Sequence, residues 1–132
     1  MKLLFSLLLA IAFISCSEDV KVVPELKEPT FCDCNELILD QDYQRYYLSD
    51  KEKPFTGECI TYSVEGKKIF ERNYSVGKYN GLVIFYHKNG KVKSTTEYVK
   101  NFMTGAFKTY SLDGDLLSHS IYLRSKLKKV VK

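Results

Sequence analysis

Three copies of one 24-residue pattern limit what this chain can fold into more than any other feature. Aligned, they read "GECITYSVEGKKIFERNYSVGKYN", "GLVIFYHKNGKVKSTTEYVKNFMT" and "GAFKTYSLDGDLLSHSIYLRSKLK", covering residues 57–80, 81–104 and 105–128. Four columns stay in register: Gly57, Gly81 and Gly105; Tyr62, Tyr86 and Tyr110; Gly66, Gly90 and Gly114; Tyr74, Tyr98 and Tyr122. The residues before each leading glycine also match, "PFTG", "KYNG" and "FMTG", with Phe55, Tyr79 and Met103 as equivalents. A fixed period of this length marks a stack of supersecondary units, each burying its apolar side against the next.

Within a copy, runs such as "GLVIFY" are short and rich in β-branched and aromatic residues, which predicts strands. The tips "VEGK", "KNGK" and "LDGD" set Glu, Asn or Asp before Gly, the pattern that supplies positive-φ residues to a tight hairpin. A second reversal is expected three residues after the later tyrosine, at Gly77, Asn101 and Ser125. Serine tolerates the left-handed conformation less well than Gly or Asn, so the third copy is expected to fray where it ends. The six tyrosines should form packing ladders, each cross-strand neighbour adding about 0.2–1 kcal/mol. The rival reading is an aromatic platform for a sugar ring or peptide.

These residues, "PFTGECITYSVEGK", "GLVIFYHKNGKV" and "GAFKTYSLDGDL", resemble the MORN repeat, in the variant found in bacterial lipoproteins and in a family labelled as toxin–antitoxin antitoxins. The resemblance covers residues 54–122. It implies an all-β fold: an elongated, twisted antiparallel sheet with one hairpin per repeat and a leading glycine where the backbone packs too closely for a side chain. The repeat domain is expected over residues 54–128, followed by a basic tail at 129–132.

The N-terminus points to export. Lys2 followed by "LLFSLLLAIAFI" has the charged start and short apolar core of a signal peptide over residues 1–15, and is too short to be read first as a membrane span. It ends in "FISC", which resembles the lipobox of bacterial lipoproteins with Phe13 in place of the usual leucine. That resemblance implies cleavage before Cys16 and a diacylglyceryl group on its sulfur. Two or three acyl chains anchor firmly, at about 0.8 kcal/mol per buried methylene. The next residues, "SED", are either an acidic signal for export to the outer surface or a solvated spacer. Residues 16–30 then form a proline-containing tether. The expected location is the bacterial cell envelope, at the outer membrane and surface-exposed.

Charge is unevenly spread. Residues 17–52 hold four Lys/Arg against ten Asp/Glu, whereas residues 53–132 hold fifteen against six. An acidic arm therefore precedes a basic body, which is an argument about partners and not about fold. The last ten residues, "LRSKLKKVVK", carry five positive charges and read as a solvated, frayed end.

The arm, residues 31–53, contains the short apolar segments "ELILD" and "YQRYYL", which would cap the first repeat. With Cys16 lipidated, Cys32, Cys34 and Cys59 remain, and an oxidising compartment should pair two of them. A bond from Cys32 or Cys34 to Cys59 is expected, Cys34 lying nearer the first repeat strand. Joining Cys32 to Cys34 would close a strained ring. "CDC" lacks the Cys-x-x-Cys spacing, and His87 and His119 have no visible partners, so neither a metal nor a cofactor is expected.

No phosphate loop, nucleophile elbow or metalloprotease helix is present. Glu58, Glu65, Glu71, Glu97 and Asp113 do not recur as a convergent pair. The expectation is a membrane-anchored, non-catalytic lipoprotein whose sheet edges and variable tips contact an envelope or extracellular protein. The alternatives are an anionic glycan or lipid headgroup, bound through Lys67, Lys68, Lys78, Lys91, Lys93 and Lys108 with tyrosines stacking, and an immunity or antitoxin-like protein. An exported chain is not expected to meet nucleic acid.

Overall fold

The computed structural model describes residues 30–49 and 52–132. Cys16, together with the signal peptide and most of the tether expected from the sequence, lies outside these described residues. The arm begins with β1 (Phe31–Asp33), a 3-10 turn (Cys34–Glu36) and a small hairpin of β2 (Ile38–Asp40) and β3 (Arg45–Tyr47). Seven strands follow as a meander: β4 (Gly57–Tyr62), β5 (Lys68–Ser75), β6 (Lys78–Tyr86), β7 (Val92–Val99), β8 (Phe102–Tyr110), β9 (Leu116–Leu123) and β10 (Lys126–Val130).

The fold is all-β, but the sheet is mixed, because β1 joins the outer side of β4 in parallel. A parallel join needs a long crossover, and the turn and hairpin of the arm provide it.

The sequence period is a pairing period. Gly57 pairs with Tyr74, Gly81 with Tyr98 and Gly105 with Tyr122. The reversal after each later tyrosine holds two consecutive positive-φ residues: Val76 and Gly77, Lys100 and Asn101, Arg124 and Ser125. Two hydrogen bonds recur there every 24 residues. The amides of Gly77, Asn101 and Ser125 donate to the carbonyls of Phe55, Tyr79 and Met103, at 2.7, 3.0 and 2.8 Å. The amides of Val76, Lys100 and Arg124 donate to side-chain oxygens of Thr56, Asn80 and Thr104.

Gly77 differs from its equivalents because the arm sits on it. A Cβ there would lie 2.8 Å from both Arg45 Cβ and the Tyr46 carbonyl oxygen. Asn101 needs no such clearance, and its side chain donates to the Gln44 carbonyl. Ser125 holds φ 60, and its hydroxyl accepts the Met103 amide at 3.1 Å. The third copy therefore does not fray: β10 pairs with β9, and Val131 and Lys132 both donate amides to the His119 carbonyl. The basic end is a sheet edge and not a loose tail.

The tips also depart from the sequence reading. Each is closed by Gly66, Gly90 or Gly114 donating to the carbonyl of Ser63, His87 or Ser111. Only the glycine has positive φ; Glu65, Asn89 and Asp113 do not. A turn followed by a left-handed glycine and a register shift accommodates any residue before that glycine.

Side chains alternate between the two sheet faces, and ladder partners share a face. Tyr74, Tyr98 and Tyr122 thus lie on one face, and Tyr62, Tyr86 and Tyr110 on the other. Equivalent tyrosines are two strands apart and do not stack on each other. The ladder instead alternates columns: Phe55 with Tyr74 at 5.7 Å, Tyr74 with Tyr79 at 5.0 Å, and Tyr79 with Tyr98 at 5.5 Å between ring centroids. Met103 pairs next with Tyr98.

From the arm, Tyr46 lies on Tyr74 and Tyr79 at 5.1 and 5.4 Å, its hydroxyl 3.1 Å from that of Tyr79. Here the core is concentrated: Phe55, fully buried Cys59 and Tyr74, with Cys32, Cys34, Leu37, Tyr46, Leu48 and Tyr79 packed around them. A disulfide joins Cys34 to Cys59 across a Cα separation of 4.9 Å and leaves Cys32 as a free thiol. Closing a loop of this size stabilises a fold by about 3.5 kcal/mol in the chain-entropy treatment.

Candidate functional site

On the face opposite the ladder, β4, β5 and β6 bring Glu58, Glu71, Lys68 and Tyr86 together. Glu71 is buried, and its Oε1 accepts from the Tyr86 hydroxyl at 2.7 Å and from the Lys68 ammonium. Burial works against ionisation of Glu71, yet the hydrogen bonds from Lys68 and Tyr86, the Lys68 charge and the contact with Glu58 hold its carboxyl below the ordinary range. Burial first, then the charge and hydrogen bond of Glu71, lifts Glu58 above that range. Burial, followed by the bond to Glu71, pushes the Tyr86 phenol up to about 12. The surroundings thus favour the neutral form of Glu58 and the charged form of Glu71 beside Lys68.

The cluster belongs to the first copy alone. One period on, Glu58, Lys68 and Glu71 become Leu82, Val92 and Thr95, then Ala106, Leu116 and His119. Column matching could not reveal it. The same column holds His119: Glu71 reaches Tyr86 of the following hairpin, whereas the buried Nε2 of His119 has no partner among the described residues.

The tips form a second feature. From the second tip, the His87 ring lies 3.0 Å from the Tyr110 carbonyl oxygen, Asn89 Nδ2 donates to the Leu112 carbonyl at 2.8 Å, and Lys91 Nζ donates to the Asp113 carbonyl at 2.9 Å. Three side chains thus stitch the second tip to the third. In the first tip the corresponding residues are Ser63, Glu65 and Lys67. Serine is too short, a carboxylate cannot donate to a carbonyl, and Lys67 turns to Glu65 at 3.6 Å. The first and second tips therefore stay apart, leaving a groove of about 380 Å³ with Val64, Lys67, Lys68, Ile69, Tyr86 and Lys88 among its lining.

The six lysines expected to act as one anion-binding field are divided. Lys68 is bound to Glu71, Lys67 faces Glu65, and Lys91 is spent on the Asp113 carbonyl. Lys78, Lys93 and Lys108 lie on other strands and have no ion pair among the described residues. Of the repeat-defining tyrosines, Tyr74 is buried, Tyr86 serves the carboxyl cluster, and Tyr62 is half exposed.

Arg72, which sequence reading passed over, lies across the Phe70 ring at 4.2 Å and donates to the Tyr79 hydroxyl at 3.2 Å. Among the described residues, no three His, Cys, Asp or Glu side chains form a group able to hold a metal ion. Comparison of the chain with protein-family models, curated proteins and solved structures finds no match.

Proposed function

We propose that this chain is a non-catalytic interaction module, held at a bacterial envelope by lipid on Cys16, whose open sheet is completed by a protein partner. One observation carries the reading. Among the described residues, only Phe55, Cys59, Tyr74 and Val83 are buried apolar side chains, whereas Leu82, Phe85, Phe102 and Leu127 are among the large ones left exposed along both faces. Exposed apolar surface beside an unpaired strand edge is what a partner covers, by packing on a face or extending the sheet. The acid cluster fits this reading as a polar element of the sheet in which Lys68 and Tyr86 are already engaged by Glu71.

The test places a photo-crosslinking residue at Leu82, which shares a sheet face with Phe102, in the full-length protein and illuminates native envelopes. A discrete crosslinked protein that disappears with Phe102→Asp supports the proposal, and crosslinks no different from those at exposed Glu65 oppose it. Cys16→Ser should move the chain out of the membrane fraction; retention there would remove the anchor from the proposal. A second reading, an anionic glycan or lipid headgroup, draws on Lys78, Lys93 and Lys108 with the lysines of β10. Of these lysines, Lys93 and those of β10 are exposed and Lys78 and Lys108 partly so, and the reading requires vesicle or polysaccharide binding that falls steeply with salt.

A further inference from the structure

We infer that Cys59 is a shared attachment point, and that migration of its disulfide from Cys34 to Cys32 is a latch that releases the arm hairpin from the aromatic ladder. Cys32 and Cys59 are direct partners in the parallel pairing of β1 and β4, which sets their side chains on the same face. Neighbouring strands lie about 4.8 Å apart, inside the Cα separation of about 4.4–6.8 Å that disulfides accept. The present bond spans 4.9 Å. Cys32 and Cys34 both pack against the cluster containing Cys59. The alternative loop is two residues longer, so chain entropy hardly distinguishes the two bonds. Packing decides between them.

The two bonds hold different things. Cys34 opens the 3-10 turn that leads through Leu37 into β2 and β3, and β3 carries Tyr46 onto Tyr74 and Tyr79. A bond at Cys34 therefore clamps the approach to that hairpin. A bond at Cys32 would staple β1 to the strand with which it already pairs, leaving the hairpin attached only by its backbone and side-chain contacts. Lifting it uncovers the Tyr74 and Tyr79 rings beside Arg72, adding aromatic surface to the face that is already open.

The step needs no oxidant. The Cys32 thiolate attacks Cys59 Sγ, the Cys32–Cys59 bond forms as the Cys34–Cys59 bond breaks, and Cys34 leaves as a thiolate that takes up the proton Cys32 released to solvent. The number of disulfides is unchanged. In the closed arrangement the reaction is slow, since burial, then the charges of Glu36 and Asp33, pushes the Cys32 thiol up to about 11. Opening that exposes Cys32 to water removes the largest of these restraints.

The test uses Cys34→Ser and Cys32→Ser in the full chain, oxidised in glutathione buffer, quenched in acid and mapped by mass spectrometry without reduction. Cys34→Ser is expected to form the Cys32–Cys59 bond, with amide exchange over residues 38–47 rising about tenfold or more over wild type. Cys32→Ser should keep the Cys34–Cys59 bond and wild-type protection. Two free thiols in Cys34→Ser, or the new bond with unchanged protection over 38–47, overturns the latch. Should Cys34→Ser fail to fold, wild type equilibrated with glutathione at pH 9 decides: a Cys32–Cys59 peptide is required, and Cys34–Cys59 alone refutes migration.

Discussion

Replacing Tyr74, Tyr98 and Tyr122 with alanine, one at a time, tests whether equivalence in sequence means equivalence in energy. Tyr74 touches three rings, Tyr46 at 5.1 Å, Phe55 at 5.7 Å and Tyr79 at 5.0 Å, and is only 4% exposed. Among the described residues Tyr98 has one ring neighbour, Tyr79 at 5.5 Å, and Tyr122 has one, Phe107 at 6.3 Å. A ring pair is worth about 0.5–1.5 kcal/mol beyond burial, and truncating a fully buried aromatic costs about 3–5 kcal/mol. Tyr74→Ala should therefore cost about 4 kcal/mol, and the other two, half-buried with single neighbours, about 2 kcal/mol each.

Urea denaturation of the three variants measures the difference directly, and in a domain of this size a gap of 2 kcal/mol separates melting temperatures by about 8–16 °C. Equal losses at all three positions would refute the reasoning, because they would describe an evenly loaded stack with no special contribution from the arm.

Three further predictions concern single features. Ser63→His with Glu65→Asn copies the stitch of the second tip onto the first; two exposed hydrogen bonds, less those Ser63 gives up, should add about 0.5 kcal/mol and raise Tm by about 2–4 °C, and a lower Tm would contradict the cause given for the groove. Val76 is a β-branched residue at φ 49, so Val76→Asn should stabilise by about 1 kcal/mol in chemical denaturation, and a loss of stability would show that the valine side chain makes a contact worth more than its strain. The phenols of Tyr46 and Tyr86 are both pushed up to about 12, chiefly by burial. The unfolded chain loses those protons nearer pH 10, so stability should be complete below pH 10 and fall between about pH 10 and 12. Tyr46→Phe with Tyr86→Phe should flatten that decline in urea midpoints, and an unchanged slope would assign it elsewhere.

What could be read from the sequence is what depends on local backbone geometry. A residue at positive φ after a turn is a local requirement, so Gly66, Gly90 and Gly114 announce their tips, and Gly77 and Asn101 their reversals. Ser125 was misjudged because its rescue comes from a hydroxyl bond to Met103, a partner 22 residues away. The order of rings in the ladder was out of reach for a related reason. Irregular registers between β5 and β6, and between β7 and β8, bring Tyr79 against Tyr74 and Met103 against Tyr98, and periodicity does not encode such shifts. The three residues of β1 are too few to show a pattern, so its parallel entry left no trace. The carboxyl cluster escaped because it breaks the repeat, using positions that are apolar or neutral in the other copies.

The entry of β1 at one edge of the sheet and the exit of the chain from β10 at the other give the molecule the properties of a ruler. Seven strand spacings of about 4.8 Å put the two edges roughly 34 Å apart, and each added or deleted 24-residue copy would change that distance by about 10 Å. A probe fused after Lys132 and another placed at Thr30 would read this length directly, and the number of copies in such a chain would set how far its last strand stands from the point where its first is fixed.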